Sequence, residues 1–315
     1  MPRYLAIRSL DLLNKAGNPI DSLFLKNGRP VNPPLFIVGA PRSGTTLAYQ
    51  IVTQQMKVGY LTGVMNYLYG LPNLITRTFK PFLGRPTPVF ESQYGKIRGV
   101  WSPAENANFW FRWFPRDGEE GHYLQPTNFS LERYCKLKDT IDSMTRILAK
   151  PMVFKSVYLS MVVGALAQIF SEARFVFVRR DLFFTCQSLL LARQRRHKPN
   201  EWWSVKIPGY RQLATKPIWH QVVDQVVSTQ AIIQRDLEEF APRRYLVLNY
   251  EDVCIRPRHA VSKLEEWLRP VGYSSYSDIR VPESFQISDQ PRLPADVVAN
   301  IKERLAKSVS EEETA

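Results

Sequence analysis

A chain of 315 residues that is 44% hydrophobic and 23% charged carries enough apolar content for one large α/β domain with a proper core. Its three cysteines, Cys135, Cys186 and Cys254, are scattered and odd in number, which excludes a disulfide framework and points to a reducing, cytoplasmic setting. The net charge of +13 favours anionic partners. These are a nucleotide, an acidic acceptor, nucleic acid or an anionic membrane; no zinc-finger spacing or RNA-recognition signature accompanies the charge, so nucleic acid is not expected.

The charges Arg3, Arg8, Asp11, Lys15 and Asp21 leave no signal-peptide core and no spanning helix at the N-terminus. Leu5, Leu10, Leu12 and Leu13 predict a short amphipathic helix ended by Ala16-Gly17-Asn18-Pro19, and residues 1–34 read as a covering segment. Leu35-Phe36-Ile37-Val38 then makes a short buried strand, Gly39 to Gly44 a turn-rich loop, and Thr45 to Gln55 a helix.

Residues 57–125 come next. Within them, Tyr60 to Pro88 is rich in Leu, Tyr, Phe, Gly and Pro, which suits an acceptor pocket, a lipid-touching patch, or ordinary core. Ser102-Pro103-Ala104-Glu105 has the form of a helix capping box, which gives Glu105 a structural use.

Tyr134, Leu137, Ile141, Met144 and Leu148 recur at helical steps, Pro151 ends that helix, and Met152 to Lys155 reads as a strand. Val157 to Phe170 is helical, and Ala173 to Val178 is a further buried strand; strand, helix, strand argues for a parallel sheet. A helix follows from Asp181 to about Arg195, and the basic run Arg193 to Lys198 reads as its solvated end. Pro217 opens a long helix, Tyr245 to Leu248 is the next strand, and helices follow over 260–268 and 294–307, with residues 308–315 as a disordered acidic tail.

The loop after the first strand is built for an anion. Gly39 and Gly44 allow a tight turn that gathers backbone N–H groups, and the following helix adds its open donors and positive end. In the nucleoside-triphosphate loop G-x-x-x-x-G-K-[ST] a lysine follows the second glycine. Here Thr45 stands in that place and the cation, Arg42, lies mid-loop, which weakens a kinase or ATPase reading. No Mg²⁺-holding aspartate is evident either, and no metal enters the expectation.

Pro41-Arg42-Ser43-Gly44-Thr45-Thr46 after an apolar strand resembles the 5′-phosphosulfate loop of the sulfotransferases, whose donor is 3′-phosphoadenosine 5′-phosphosulfate (PAPS). A second stretch, Phe175 to Ser188, is similar to that family's 3′-phosphate site: a strand, an arginine (Arg180), and a helical serine (Ser188) eight residues on. Leu182 replaces the family's proline, and Arg179 is an off-by-one alternative to Arg180. Tyr250-Glu251-Asp252 after a strand looks like the family's segment near the adenine.

The resemblance implies a single-domain P-loop-like α/β fold of three layers, with a central parallel sheet flanked by helices. It implies donor binding by Arg42, Ser43, Gly44, Thr45, Thr46, Arg180, Ser188 and Tyr250. It further implies in-line transfer of a sulfuryl group to an acceptor hydroxyl, less readily an amine, with Arg42 and Lys155 neutralising charge. The acceptor it implies, expected at residues 57–125, is a small molecule, carbohydrate or lipid, and the net charge favours an anionic one. A base is required, for which Glu105 and, behind it, His122 are the candidates. Glu105 lies in sequence among Trp101, Phe109, Trp110 and Trp113, and His122 sits in a stretch with the composition of an exposed loop. A basic protein of the nucleic-acid or anionic-lipid binding kind is the rival, and it leaves Arg180 and Ser188 unexplained.

Overall fold

The computed structural model describes residues 2–29, 32–86, 90, 97–127, 130–196, 198 and 200–313. In chain order the elements are α1 (Pro2–Ser22), β1 (Leu35–Val38), α2 (Thr45–Gln55), β2 (Gly59–Tyr60), α3 (Pro72–Thr78), α4 (Ala107–Trp110), α5 (Leu131–Leu148), β3 (Met152–Lys155), α6 (Val163–Ile169) and β4 (Arg174–Arg179). The second half supplies α7 (Leu182–Gln194), α8 (Tyr210–Leu213), α9 (Ile218–Phe240), β5 (Tyr245–Asn249), α10 (Tyr250–Ile255), α11 (Pro257–Leu268) and α12 (Ala295–Glu313).

The five strands make one parallel sheet in the order β2-β3-β1-β4-β5. Both neighbours of β1 come from far along the chain, so its residues are buried on both faces, which is why it reads as an unbroken apolar run. Alternation sorts its side chains between two layers. Phe36 and Val38 face a core built with α5, α6 and α9, while Leu35 and Ile37 face one built with α2 and α11. The Phe36 ring lies 5.4 Å from Phe154, 5.5 Å from Phe175 and 5.8 Å from Phe170, and this aromatic stack pins three strands and a helix end in one register. Among the described residues no helix is long and apolar enough to cross a membrane.

Four expectations need correction. Helix α1 does not stop at Gly17 to Pro19 but continues to Ser22. Its contacts outweigh the breakers: Gly17 lets the helix lie against Leu71, where a Cβ would come within 2.9 Å of that side chain. The stretch from Val157 is not one helix; a 3-10 segment, Val157–Met161, precedes α6, and it turns the Ser160 hydroxyl back to Gly39. In the basic run Arg195, Arg196 and Lys198 are exposed as expected, but Arg193 is 0% exposed and donates to the Gln221 side chain of α9 at 2.8 Å. The acidic tail is helical to Glu313, as expected of a Glu- and Lys-rich turn with a Lys307–Glu303 pair at 2.6 Å.

Because Phe36 is fully buried against four rings, Phe36→Ala is expected to cost about 3–5 kcal/mol of unfolding free energy. Urea unfolding followed by circular dichroism checks this: the midpoint falls with the slope unchanged.

Candidate active site

The loop from β1 to α2 is the floor of the site. A Cβ on Gly39 would lie 2.6 Å from both the Ser43 hydroxyl and the Val178 carbonyl, so only glycine fits. The Gly39 N–H donates to Ser160 Oγ at 3.1 Å, and the Ser160 hydroxyl donates back to the Gly39 carbonyl at 3.0 Å. Arg42 and Gly44 both take left-handed backbone, with φ of 72° and 97°. For Arg42 this conformation costs of order 1–3 kcal/mol and persists only where surrounding structure imposes it. No side chain caps the start of α2, so its first N–H groups stay open toward the loop. The Ser43 hydroxyl is buried and has no partner among the described residues.

Three other segments converge on this loop. Arg180 leaves β4, Ser188 stands on α7 and Tyr250 begins α10. The Arg42 Nε donates to Ser188 Oγ at 3.2 Å, and Arg180 donates to the Arg42 carbonyl at 3.2 Å. The Arg180 guanidinium lies 4.5 Å above the Tyr250 ring, and its Nε is buried without a partner. Tyr250 in turn packs on Gly44, where a Cβ would stand 2.3 Å from the ring. Burial, above all, pushes the Tyr250 phenol up to about 12, so it stays protonated. Arg179, the off-by-one alternative, is exposed and lies against Phe177. The missing proline at Leu182 has no consequence, because Asp181 caps α7 by accepting from the Phe184 N–H at 2.9 Å.

The second centre lies at the end of β3. Lys155 pairs in register with Ile37, one residue before β1 ends, and its side chain is 3% exposed. It donates to Thr46 Oγ1 at 2.9 Å and forms an ion pair with Glu105, which is 27% exposed. Thr46, Lys155 and Glu105, found in three separate stretches of sequence, therefore form one chain of contacts.

The capping box at Ser102 does not form. The Ser102 hydroxyl donates to the Arg98 carbonyl at 2.6 Å, and the helix starts only at Ala107, after Asn106 in left-handed backbone with φ 49°. The loop bearing Glu105 is instead held by the chain leaving β2. Ala104 N–H donates to the Leu61 carbonyl at 2.9 Å and Asn106 Nδ2 to the Thr62 carbonyl at 3.1 Å. The aromatics near Glu105 in sequence go elsewhere: Phe109, Trp110 and Trp113 are core, and Trp101 packs on Phe79 at 4.8 Å. The partner that defines Glu105 is thus an ammonium.

His122 is buried, contrary to the exposed loop its neighbours suggested. Its Nδ1 accepts from the Lys206 N–H at 2.8 Å, the ring hydrogen-bonds the Arg116 backbone, and Tyr158 lies 4.8 Å away edge-on. The bond at Nδ1 ties the loop at His122 to the loop at Lys206, so His122 acts as a strut between two loops.

Sequence reasoning missed the segment near residue 290. Ser288 receives Arg180 at 2.6 Å, and the Gln187 side chain bonds both the Gln290 carbonyl and the Arg292 N–H, at 2.8 and 2.6 Å. Arg292 reaches Ser288 Oγ at 2.9 Å, which puts a further cation beside Arg180. The stretch has no periodicity, and only its prolines and arginine gave a signal. A cavity of about 960 Å³ lies apart from all this, between α1, the start of α5 and the loop at Phe111 and Arg112, and none of the donor-loop residues lines it.

A parallel sheet with a glycine-bearing loop at the end of its central strand, and Arg42 and Arg180 gathered on it, defines the P-loop-like fold class. Comparison with known proteins narrows this. A family model described as "Sulfotransferase family" matches residues 33–270, and the chain belongs to that family. Among curated proteins it is similar to omega-hydroxy-beta-dihydromenaquinone-9 sulfotransferase Stf3 of Mycobacterium bovis and of Mycobacterium tuberculosis. Each is 24% identical over 264 residues, which are 75% of this chain and 63% of the relative, so the chain spans less than two thirds of their length. Among solved structures it is similar to sulfotransferase STF1 of Mycobacterium tuberculosis H37Rv, at 14% identity and TM-score 0.58, over 94% of this chain and 82% of that one. Sulfotransferase STF9 of Mycobacterium avium gives a TM-score of 0.54 at 16% identity, over 94% and 73% of the two chains. These likenesses show the shared fold.

Burial holds the His122 imidazole down to about 4, below its ordinary 6.5. Between those values the unfolded chain takes up a proton here and the folded one does not. Stability is therefore fully held above pH 6.5 and falls as the pH drops toward 4, by up to about 1.4 kcal/mol per pH unit from this group. Urea midpoints at pH 7, 6 and 5 check it: His122→Gln is expected to show a shallower fall than the wild type.

Proposed function

We propose that the protein transfers the sulfuryl group of PAPS to an acceptor hydroxyl, with Glu105 as general base. The observation that carries this reading is the continuous contact from the anion loop through Thr46 and Lys155 to Glu105. It joins a place for the donor to a place for the base at the spacing of one lysine side chain.

The residues fit such a donor. Arg42, Ser43, Gly44, Thr45 and Thr46, with the open start of α2, suit a phosphosulfate, and the unpartnered Ser43 hydroxyl is a donor awaiting an acceptor. Arg180 and Ser188 suit a terminal phosphate, because a guanidinium offers planar donors and the buried Arg180 Nε has none of its own partners. Tyr250 supplies an aromatic face beside them. When bound, PAPS supplies an activated sulfuryl group with a phosphate leaving group. Mg²⁺-dependent phosphoryl transfer has less support, since Thr45 occupies the loop-lysine position.

Glu105 takes the proton as the acceptor oxygen forms its new bond to sulfur and the bond from sulfur to the phosphate oxygen breaks. Its pairing with Lys155 keeps the carboxylate in place for that task. Lys155, held by Thr46 at the loop, places positive charge where the transferred and leaving oxygens gather charge, and Arg42 does the same from the other side. The matched relatives are named for a menaquinone derivative with an omega-hydroxyl, and we carry over from them the class of acceptor: a hydroxyl on an apolar carrier.

Radiolabelled sulfuryl transfer from PAPS to a prenyl quinone with a terminal hydroxyl tests the assignment. Glu105→Gln is expected to lower kcat by about 10²–10⁴ while binding of 3′-phosphoadenosine 5′-phosphate stays within about threefold. A Glu105→Gln protein with wild-type kcat would remove Glu105 from the mechanism.

A further inference from the structure

Over residues 10–22, helix α1 is amphipathic in the reverse of the usual sense. At about 100° per residue, Asn14, Gly17 and Asp21 share the face turned to the body of the protein. Asn14 donates to the Tyr67 carbonyl at 2.8 Å and accepts from the Gly70 N–H at 2.6 Å, and Asp21 accepts from the Asn73 and Leu74 N–H groups at 2.8 and 2.9 Å. The apolar side chains go outward: Leu12, Leu13, Ile20 and, just past the end, Leu23 are exposed, Leu12 at 67% and Leu23 at 80%. A helix selected only to cover the domain would turn them in.

The exposed apolar surface continues onto the segment that α1 touches. Tyr67, Val100 and Phe82 are all exposed, Phe82 at 66%. The Tyr67 N–H donates to the Val64 carbonyl at 3.0 Å, and the Val64 N–H to the Val100 carbonyl at 2.9 Å. Trp101, next to Val100, has its ring 6.1 Å from Phe82. Backbone hydrogen bonds and a ring contact thus place these exposed side chains on neighbouring segments.

Cations flank them. Lys80, two residues from Phe82, and Lys57 are exposed, and the Gly59 N–H donates to the Pro151 carbonyl at 2.8 Å, which sets the chain after Lys57 beside that after Lys150; burial first, then the charges of Lys80 and Lys57, hold Lys150 below its ordinary value. Arg77, in the last turn of α3, is exposed on the same segment. Apolar side chains beside exposed cations match a partner that layers anionic headgroups over hydrocarbon. A second copy of the chain, by contrast, would bring its own lysines against these.

We propose that this face docks the protein on an anionic lipid bilayer, with the outward leucines of α1, Tyr67 and Phe82 entering the interface and Lys57, Lys80 and Lys150 lying against headgroups. The docking stands independently of the transfer reading and is measured without donor or acceptor.

Co-sedimentation of the full chain with vesicles of phosphatidylcholine containing phosphatidylglycerol, and with phosphatidylcholine alone, tests it. Binding is expected to require the anionic lipid, to weaken with salt, and to fall about tenfold in Tyr67→Ser/Phe82→Ser, whose exposed positions leave the melting temperature unchanged. Lys80→Glu/Lys150→Glu is expected to abolish the preference for phosphatidylglycerol. Absence of wild-type binding, or binding indifferent to both double variants, overturns the proposal. So does a dimer in lipid-free solution that the aromatic variant dissolves, since a second copy would then cover the face.

Discussion

The site depends on one buried ammonium. Lys155 ends a central strand and is almost wholly withdrawn from water, and a charge so placed is tolerated only with a close counter-ion and further hydrogen bonds. Glu105 and Thr46 supply them. The need for that compensation draws the loop at Glu105 onto the sheet edge, because the sheet fixes Lys155 and the carboxylate must come to it. An isolated pair of this kind adds little net stability, so its presence beside the proposed donor loop is more readily explained by chemistry than by folding.

A second constraint is steric. Gly44 turns left-handed beneath the Tyr250 ring, Tyr250 carries the Arg180 guanidinium on its other contact, and Arg180 reaches back to the carbonyl of Arg42. The strained Arg42 backbone is thus fastened at its carbonyl by Arg180 and at its side chain by Ser188. The two arginines hold each other at the loop despite like charge, an arrangement that an anion between them would relieve.

Local patterns carried much of this into the sequence. β1 and β3 lie between other strands, so burial on both faces left plain apolar runs whose bounds could be read. The loop was legible because glycine and hydroxyl residues have few other reasons to stand between a strand and a helix, and Arg180 and Ser188 because their spacing is fixed by one strand-to-helix turn. The pairing of Glu105 with Lys155 spans fifty residues of chain and needs the two-residue strand β2 to aim it, and so short a strand has no periodicity. His122 misled because its burial comes from the backbone of Lys206, which no local pattern announces. Helix α1 ran past Gly17 and Pro19 because tertiary contacts at Asn14, Gly17 and Asp21 outweigh local stop signals. The 288–292 strap is irregular and its placement rests wholly on distant partners.

The central claim is that the arginine-lined loop binds the adenosine bisphosphate half of PAPS. Calorimetric titration with 3′-phosphoadenosine 5′-phosphate, beside ATP with Mg²⁺, on the wild type and on Arg180→Ala tests it most directly. The account predicts tight binding of the bisphosphate, weakened strongly in Arg180→Ala, with ATP the poorer ligand. Binding of ATP with none of the bisphosphate would contradict it and put a phosphotransferase in its place.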